Sequence, residues 1–336
     1  MQHHEPKTNK NLRYKKKARN MRQKIILASL ALIILSLAGC GGSASDPMLN
    51  IDYRKGTDGL TMKFIDNMPT RSVYAGEQFN IGIQIENAGA HDIGMGKLMI
   101  SGYEQGQYKF DGGNSREFQL RGRTQFEPKG EIDHVILGVQ SICYPEMASQ
   151  VRTNLTTTFR ATACYTYATV ANAQVCIDTN PLVTQSGADK ICQIKPVTLS
   201  GGQGGPVAVT KVEPSMIPTG QGGITARFLI HLRNLNTDGT VYSLGAYDTD
   251  CEDITLKNKV IFGAQLAEMP LICTPQGEIT IKSGEDTVVS CETPLTTAGG
   301  VYETQLTMGL EYAYSQDATT TVNVNKPLDV NIPACN

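Results

Sequence analysis

Four carboxylates lie within six residues in the second half of the chain, at Asp248, Asp250, Glu252 and Asp253. Carboxylate oxygens are ligands that Ca²⁺ prefers, which makes this segment a candidate calcium site. The spacing differs from that of an EF-hand loop, which needs a glycine at its sixth position and a glutamate at its twelfth. We therefore expect a solvated acidic loop, and we predict neither a bound metal nor another cofactor.

The nine cysteines are the second set of residues that can do chemistry. The sequence has no C-x-x-C motif, and no cysteine stands at zinc-ligand spacing from a histidine. Cys40 is set apart near the N-terminus, and eight cysteines remain. An even number in an exported chain favours structural disulfides. The eight are Cys143, Cys164, Cys176, Cys192, Cys251, Cys273, Cys291 and Cys335.

Four of these cysteines precede Gly201 and four follow it, so internal pairing within each half leaves nine connectivities. Short loops favour Cys176–Cys192 and Cys273–Cys291, each stabilising the fold by about 3 kcal/mol in the chain-entropy picture. Elimination then predicts Cys143–Cys164 and Cys251–Cys335.

No motif of a known catalytic centre is present. The sequence lacks G-x-S-x-G, H-E-x-x-H and a Walker loop, so we predict that the protein is not an enzyme. The histidines after residue 40, His91, His134 and His231, are expected to be ordinary solvated residues. Asn154-Leu155-Thr156 is a candidate N-glycosylation acceptor, which a chance tripeptide explains equally well.

The N-terminal segment has the pattern of a secretory signal. Nine basic residues and one acidic residue precede an apolar run over 25–38, which ends at Leu37-Ala38-Gly39-Cys40. Fourteen helical residues reach about 21 Å, less than the roughly 30 Å hydrocarbon core, which disfavours a permanent spanning helix. We assign 1–39 to the signal peptide and 40–50 to a flexible tether.

Leu37-Ala38-Gly39-Cys40 resembles a lipobox, the cleavage site of prokaryotic lipoprotein precursors. The resemblance implies cleavage before Cys40 and a lipid on its sulfur. The alternative is an uncleaved signal anchor, in which an N-terminal helix holds the protein in the membrane. Both interpretations predict an exported body anchored to the outer, extracytoplasmic face of the membrane.

The net charge of −2 conceals an uneven distribution, because 30 basic residues stand against 32 acidic ones. After cleavage at Cys40 the chain keeps 21 basic and 31 acidic residues, a net charge of −10. An acidic body opposes binding to nucleic acid, so we predict no nucleic-acid partner.

Side chains alternate between apolar and polar over many short segments, which is the pattern of half-buried strands. Phe79, Ile81, Ile83 and Ile85 form one such series. Others are Phe159, Ala161, Ala163, Tyr165 and Tyr167; Phe228, Ile230 and Leu232; and Tyr302, Leu306, Met308, Leu310, Tyr312 and Tyr314. We expect Tyr312 and Tyr314 to be core residues.

The pattern of Ile81, Ile83, Ile85 and Asn87 returns at Phe228, Ile230, Leu232 and Asn234, with a constant offset of 147 residues. Tandem units with short alternating strands predict an all-β protein with two β-sandwich domains. We place domain 1 at 51–199, a Gly-rich linker at 200–206 and domain 2 at 207–336.

Residues 75–89 resemble the G-E-x-F-x-[IV]-x-[IV]-x-[IVL]-x-N-x-G strand of tandem immunoglobulin-like domains in prokaryotic cell-surface proteins. Residues 55–60 and 202–209 resemble segments of archaeal membrane-associated proteins. The resemblance implies two immunoglobulin-like β-sandwiches after the signal segment and supplies no catalytic residues. The chain departs from antibody domains because it has no Trp. The signal segment, the predicted disulfides, the repeat and the missing catalytic motifs together favour a non-catalytic structural, adhesive or protein-interaction module, whose partner is an unidentified surface protein or glycan. The alternative is a carbohydrate- or solute-binding surface lipoprotein.

Overall fold

Strands dominate the computed structural model, which describes residues 52–144, 155–181, 190–219, 223–281, 284–295, 300–327, 333 and 335. The strands of the first half are β1 Leu60–Phe64, β2 Ser72–Tyr74, β3 Gln78–Asn87, β4 Ile93–Ser101, β5 Tyr108–Phe110, β6 Ser115–Leu120, β7 Ile132–Ser141, β8 Leu155–Asp178 and β9 Val197–Thr198.

The second half continues the series and adds two 3-10 helices between β12 and β13, at Leu244–Thr249 and Ile254–Leu256. Its strands are β10 Val207–Pro218, β11 Ile224–Asn234, β12 Gly239–Tyr242, β13 Lys259–Leu266, β14 Met269–Pro270, β15 Ile272–Thr274, β16 Glu278–Thr280, β17 Thr287–Leu295 and β18 Val301–Asn325. In the described part of the chain, no helix is long and apolar enough to cross a membrane.

The described strands form three sheets. The shared sheet has nine strands, with the order β14-β13-β18-β8-β4-β6 and with β2, β12 and β16 beside this path. The first cover sheet has the order β1-β3-β7-β5, and the second has the order β15-β17-β11-β10-β9. The prediction of an all-β, sandwich-like fold is therefore confirmed.

The central feature of the shared sheet is the antiparallel ladder of β8 and β18, which runs from Leu155 opposite Val324 to Asp178 opposite Val301. A 24-residue strand has a contour length of about 80 Å. Because β8 precedes segment 200–206 and β18 follows it, the two halves pair directly, and 51–336 group as one compact unit.

Alternation places one row of each long strand in the core, as predicted. Phe159, Tyr165, Tyr312 and Tyr314 are fully buried, whereas Arg160 and Thr162 lie on the opposite face, called here the outer face. The backbone N–H of Leu60 in β1 donates to Tyr165 Oη and that of Val207 in β10 donates to Tyr312 Oη. Both cover sheets therefore pack on the same, inner face.

The 147-residue repeat extends from sequence into strand pairing. Leu60 of β1 pairs with Asn87 of β3, and Val207 of β10 pairs with Asn234 of β11, each residue displaced by 147. Within the ladder, Thr166 pairs with Ala313, which is its own repeat equivalent. A local two-fold axis therefore passes between these two residues and relates the halves.

Segment 200–206, predicted to be a linker, is largely buried beside this axis. Gly202, Gly204, Gly205 and Pro206 are all buried. The carbonyl of Gly204 accepts hydrogen bonds from the backbone N–H of Ala90, at 2.8 Å, and from Tyr167 Oη, at 2.9 Å. The segment is consequently part of the packed centre.

Two disulfides lie where sequence reasoning expected them. Cys176–Cys192 closes a 16-residue separation and Cys273–Cys291 an 18-residue separation. The second joins neighbouring strands, because Cys273 of β15 pairs directly with Cys291 of β17.

The predicted pairs Cys143–Cys164 and Cys251–Cys335 are wrong. The structure joins Cys143 to Cys335 and Cys164 to Cys251, with Cα–Cα distances of 5.0 and 5.8 Å. The reason is the shared ladder, which brings the two halves side by side. Cys335 reaches the end of β7 because its N–H donates to the carbonyl of Tyr144.

Candidate functional site

Four tyrosines from the two long strands surround the local two-fold axis. Tyr165 lies opposite Tyr314 and Tyr167 opposite Tyr312, and neighbouring ring centroids are 5.9–6.4 Å apart. The side chains are at most 2% exposed. They form the centre of the core, as expected for Tyr312 and Tyr314.

The hydroxyls of this tyrosine cluster all bind the cover sheets or their loops. Tyr165 Oη accepts from the Leu60 N–H at 3.0 Å, and Tyr312 Oη accepts from the Val207 N–H at 3.3 Å. Tyr314 Oη donates to the carbonyl of Asn236 at 2.9 Å. Burial raises the pKa of Tyr167 to about 12 and also raises the pKa of Tyr165 and Tyr312. The cluster is a neutral structural centre.

The acidic loop, residues 243–258, folds as the two 3-10 helices on the outer face of the shared sheet. The Cys164–Cys251 disulfide fastens it to β8, and Ala246 packs into a small second core with Tyr242 and Ala313. Sequence analysis identified the acidic residues of this loop, but the disulfide that positions them was missed.

Two of the four candidate calcium ligands, Asp250 and Asp253, have partners within the protein. Asp250 forms an ion pair with Lys97 of β4 at 2.6 Å, and this hydrogen bond raises the pKa of Lys97. Asp253 caps the second 3-10 helix and accepts from the N–H and Oγ1 of Thr255, which lowers the pKa of Asp253.

Asp248 and Glu252 are exposed on the same loop. Within the described residues, no group of three or more His, Cys, Asp or Glu side chains is arranged to hold a metal ion. Asp250 and Asp253 thus bind side chains and backbone of the protein itself.

The acidic loop and the outer face enclose a polar groove of about 620 Å³. Its walls carry Arg160, Asp238, Glu252, Lys257 and Asp317. Thr162 Oγ1 on the floor donates to Asp317 at 2.6 Å. The basic side chains donate hydrogen bonds and the carboxylates accept them, so together they can bind a hydroxyl-rich ligand.

The three histidines differ in their surroundings. His134 is exposed on the first cover sheet, and the ring of His91 lies edge-on to Tyr167 with 5.6 Å between centroids. His231 Nε2 lies 3.1 Å from Glu213 Oε1, and His231 Nδ1 lies 3.7 Å from Asp286 Oδ2. Its side chain is only 17% exposed, so the prediction of a solvated residue missed these carboxylates.

A second feature beside the axis is an open edge of β8. β4 pairs with β8 only from Gly96 opposite Tyr165 onward, and β4 is irregular between Ile93 and Gly96. No strand in the described ranges lies beside 166–174 on this side. A cavity of about 390 Å³ borders the edge, lined by Tyr53, Arg54, Ala90, His91, Ala168, Val170, Asn172, Gln203 and Thr307.

Cys40, the predicted lipidation site, and Asn154, the predicted glycosylation site, lie outside the described residues. The four disulfides among the described residues indicate an oxidising, extracytoplasmic environment.

No protein-family model matches the chain, and no curated protein matches it. Among solved structures, a chain described as pT26-6p is similar over 82% of this chain, with 11% sequence identity and a TM-score of 0.16. The match spans 66% of that chain's own length. A TM-score of this size carries no argument about fold or function.

Proposed function

We propose that the protein is a non-catalytic, membrane-anchored cell-surface protein whose β-sandwich body is a structural, adhesive or protein-interaction module. The observation that carries the proposal is the pair of disulfides Cys143–Cys335 and Cys164–Cys251 across the shared ladder. They join the two halves covalently. Such a body suits an element that must keep its shape outside the cell.

We also propose that the protein is of the type that its sequence resembles, an archaeal-like lipoprotein with tandem immunoglobulin-like domains. Its support is that the two cover sheets have equivalent pairings, β1 with β3 and β10 with β11. In this view each half is one immunoglobulin-like sandwich, and its second layer is a portion of the shared sheet. Lipid on Cys40 anchors the body, with residues 41–50 as its tether.

Lipid labelling tests the anchor. Cells that produce the wild type and Cys40→Ser are fed an alkyne fatty acid, with Ser43→Ala as a matched control that keeps the lipobox. We expect label on the wild type and on Ser43→Ala only. Equal label on Cys40→Ser would contradict lipid anchoring at this residue.

Surface proteolysis of intact cells tests the location of the body. We expect the wild type to be cleaved or shed by external protease without cell lysis. Complete protection of the body in intact cells, with cleavage after lysis, would contradict the surface location.

A second candidate, a carbohydrate-binding surface lipoprotein, is favoured by the polar groove between the acidic loop and the outer face. Its test is a glycan array probed with the wild type and with Arg160→Ala. Binding that this variant abolishes would support the second candidate. Lys63→Ala serves as the control, because Lys63 lies on β1 and does not line the groove.

A further inference from the structure

The first four residues of the open edge of β8, 166–169, have a repeat equivalent that is paired. On β18, β12 pairs with 313–316, from Gly239 opposite Gln316 to Tyr242 opposite Ala313. The repeat-equivalent pairing, 147 residues earlier in the chain, would place 92–95 beside 166–169 of β8. Those residues do not pair, because β4 first meets β8 at Gly96.

The backbone of β8 presents hydrogen-bonding groups at this edge. The Thr179 N–H donates to the carbonyl of Gly300 at 3.0 Å, so odd-numbered residues of β8 bond to β18. In an antiparallel ladder, the even-numbered residues then direct N–H and C=O to the opposite side. Within 166–174 these include the backbone groups of Ala168, Val170 and Asn172.

The far end of the open edge is closed by covalent and ionic contacts. Cys192 is bonded to Cys176, and Lys190 lies 2.6 Å from Asp178. Among the described strands, none pairs with this side of the nine residues 166–174 of β8, which span about 30 Å. This is sufficient for a strand of five to seven residues.

The side chains beside the edge favour an acidic partner. Arg54 Nε donates to Tyr53 Oη at 3.1 Å, and its guanidinium carbon lies 5.4 Å from the Tyr53 ring centroid. No carboxylate among the described residues forms an ion pair with Arg54, which lines the cavity with His91. A carboxylate on an added strand would complete the Arg54 site.

We propose that the open edge of β8 binds an extended strand of another protein, antiparallel to 166–174, with an Asp or Glu side chain facing Arg54. The position of β12 on β18 is the template for this strand. Main-chain hydrogen bonds supply affinity, and the cavity supplies specificity. The inference rests on the proposed function as an interaction module and names its binding site.

The chain itself provides a probe. A fluorescent peptide of residues 237–244 contains the β12 strand and the carboxylate of Asp238. On β18, the bonded pairs are Thr240 with Ser315 and Tyr242 with Ala313, because the Val241 carbonyl accepts from Asn258 on the other side. N-methylation of Thr240 and Tyr242 therefore blocks pairing, whereas N-methylation of Val241 and Ser243 leaves it intact.

Anisotropy with the full-length protein in detergent compares these two methylated peptides. We expect the blocked peptide to bind at least tenfold more weakly than its matched control, and the unmodified peptide to slow amide exchange in 166–174. Arg54→Gln should weaken binding of the Asp238 peptide but not of its Asp238→Asn version. Equal binding of the two methylated peptides, or no binding at millimolar concentration, would overturn the proposal.

A concentration-dependent dimer that the peptide dissociates would also overturn it, because the occupant would then be a second copy of this chain. Lipid labelling and surface proteolysis report on the proposed function without involving β8. If the peptide does not bind but the protein is anchored at the surface, only the proposed binding site is contradicted, and the proposed function stands.

Discussion

The two halves of the molecule share one pairing scheme but complete it differently beside the long strands. In the second half, β12 covers β18, and the acidic loop then continues over the outer face. In the first half, β4 covers β8 from Gly96 onward and leaves 166–174 open.

This difference separates stability from interaction. Where the halves agree, as at Tyr165 and Tyr312, the contacts are buried and hydrogen-bonded. Where they differ, one half has a loop held by a disulfide, and the other has an accessible edge. Variants at repeat-equivalent positions can therefore test which contacts of the two-fold arrangement stabilise the fold.

The largest expected effect comes from breaking a disulfide that joins the halves. Replacing Cys143 and Cys335 by serine opens a 192-residue separation, and replacing Cys176 and Cys192 opens one of 16 residues. Chain entropy predicts losses of about 5 and about 3 kcal/mol in the free energy of unfolding. Urea denaturation measures both, and a larger loss for the short loop would contradict the connection of Cys143 to Cys335.

The second effect tests whether segment 200–206 is packed at the axis or links two bodies. Gly201 and Gly204 both have positive φ, but only at Gly204 would a Cβ meet neighbours, 2.4 Å from Ala90 Cβ. Gly201→Ala should cost about 1 kcal/mol, from backbone strain alone. Gly204→Ala should cost about 2 kcal/mol more, because the overlap must be relieved. Equal losses in urea denaturation would indicate that the segment is loosely packed.

Sequence reasoning identified the individual strands because burial of one face imposes alternation along each of them. In β11, Phe228 and Ile230 are fully buried, whereas Leu229 between them is exposed. The same reasoning could not identify the partner of β8. Alternation specifies which face is buried and carries no information about which distant strand pairs at the edge.

The candidate site shows the same limit. The acidic residues were visible, but Lys97 meets Asp250 only through the register of β4 on β8 and the Cys164–Cys251 bond. Loop-closure reasoning favoured two short loops and left the other four cysteines to elimination within each half. It therefore found the two local disulfides and missed the two that depend on the ladder.

A smaller effect tests the equivalence of the tyrosine cluster. Tyr165→Phe and Tyr312→Phe each remove the acceptor of one buried backbone N–H, at Leu60 and Val207. An unsatisfied buried donor costs about 1–3 kcal/mol. We expect Tyr312→Phe to cost about 1 kcal/mol more than Tyr165→Phe, because Tyr312 Oη also hydrogen-bonds to Thr169 Oγ1 at 2.9 Å. Tyr302→Phe, at a partly exposed position, should cost close to nothing. Equal losses would show that the hydrogen bond between Thr169 and Tyr312 adds no stability.

The smallest effect concerns the ion pair of the acidic loop, where the halves differ. Lys97 is replaced by Leu244 at the repeat-equivalent position, so the Lys97–Asp250 pair has no counterpart. Both side chains are about 30% exposed, and such pairs contribute at most about 1 kcal/mol. Lys97→Met should therefore lower the free energy of unfolding by less than this amount. The loss should be the same with and without added calcium. The substitution frees the Asp250 carboxylate, but the described residues place no two further carboxylates beside it to hold the ion. A calcium-dependent rise in the stability of Lys97→Met, absent from Lys97→Met/Asp250→Asn, would instead show that the ion pair occupies a latent metal site.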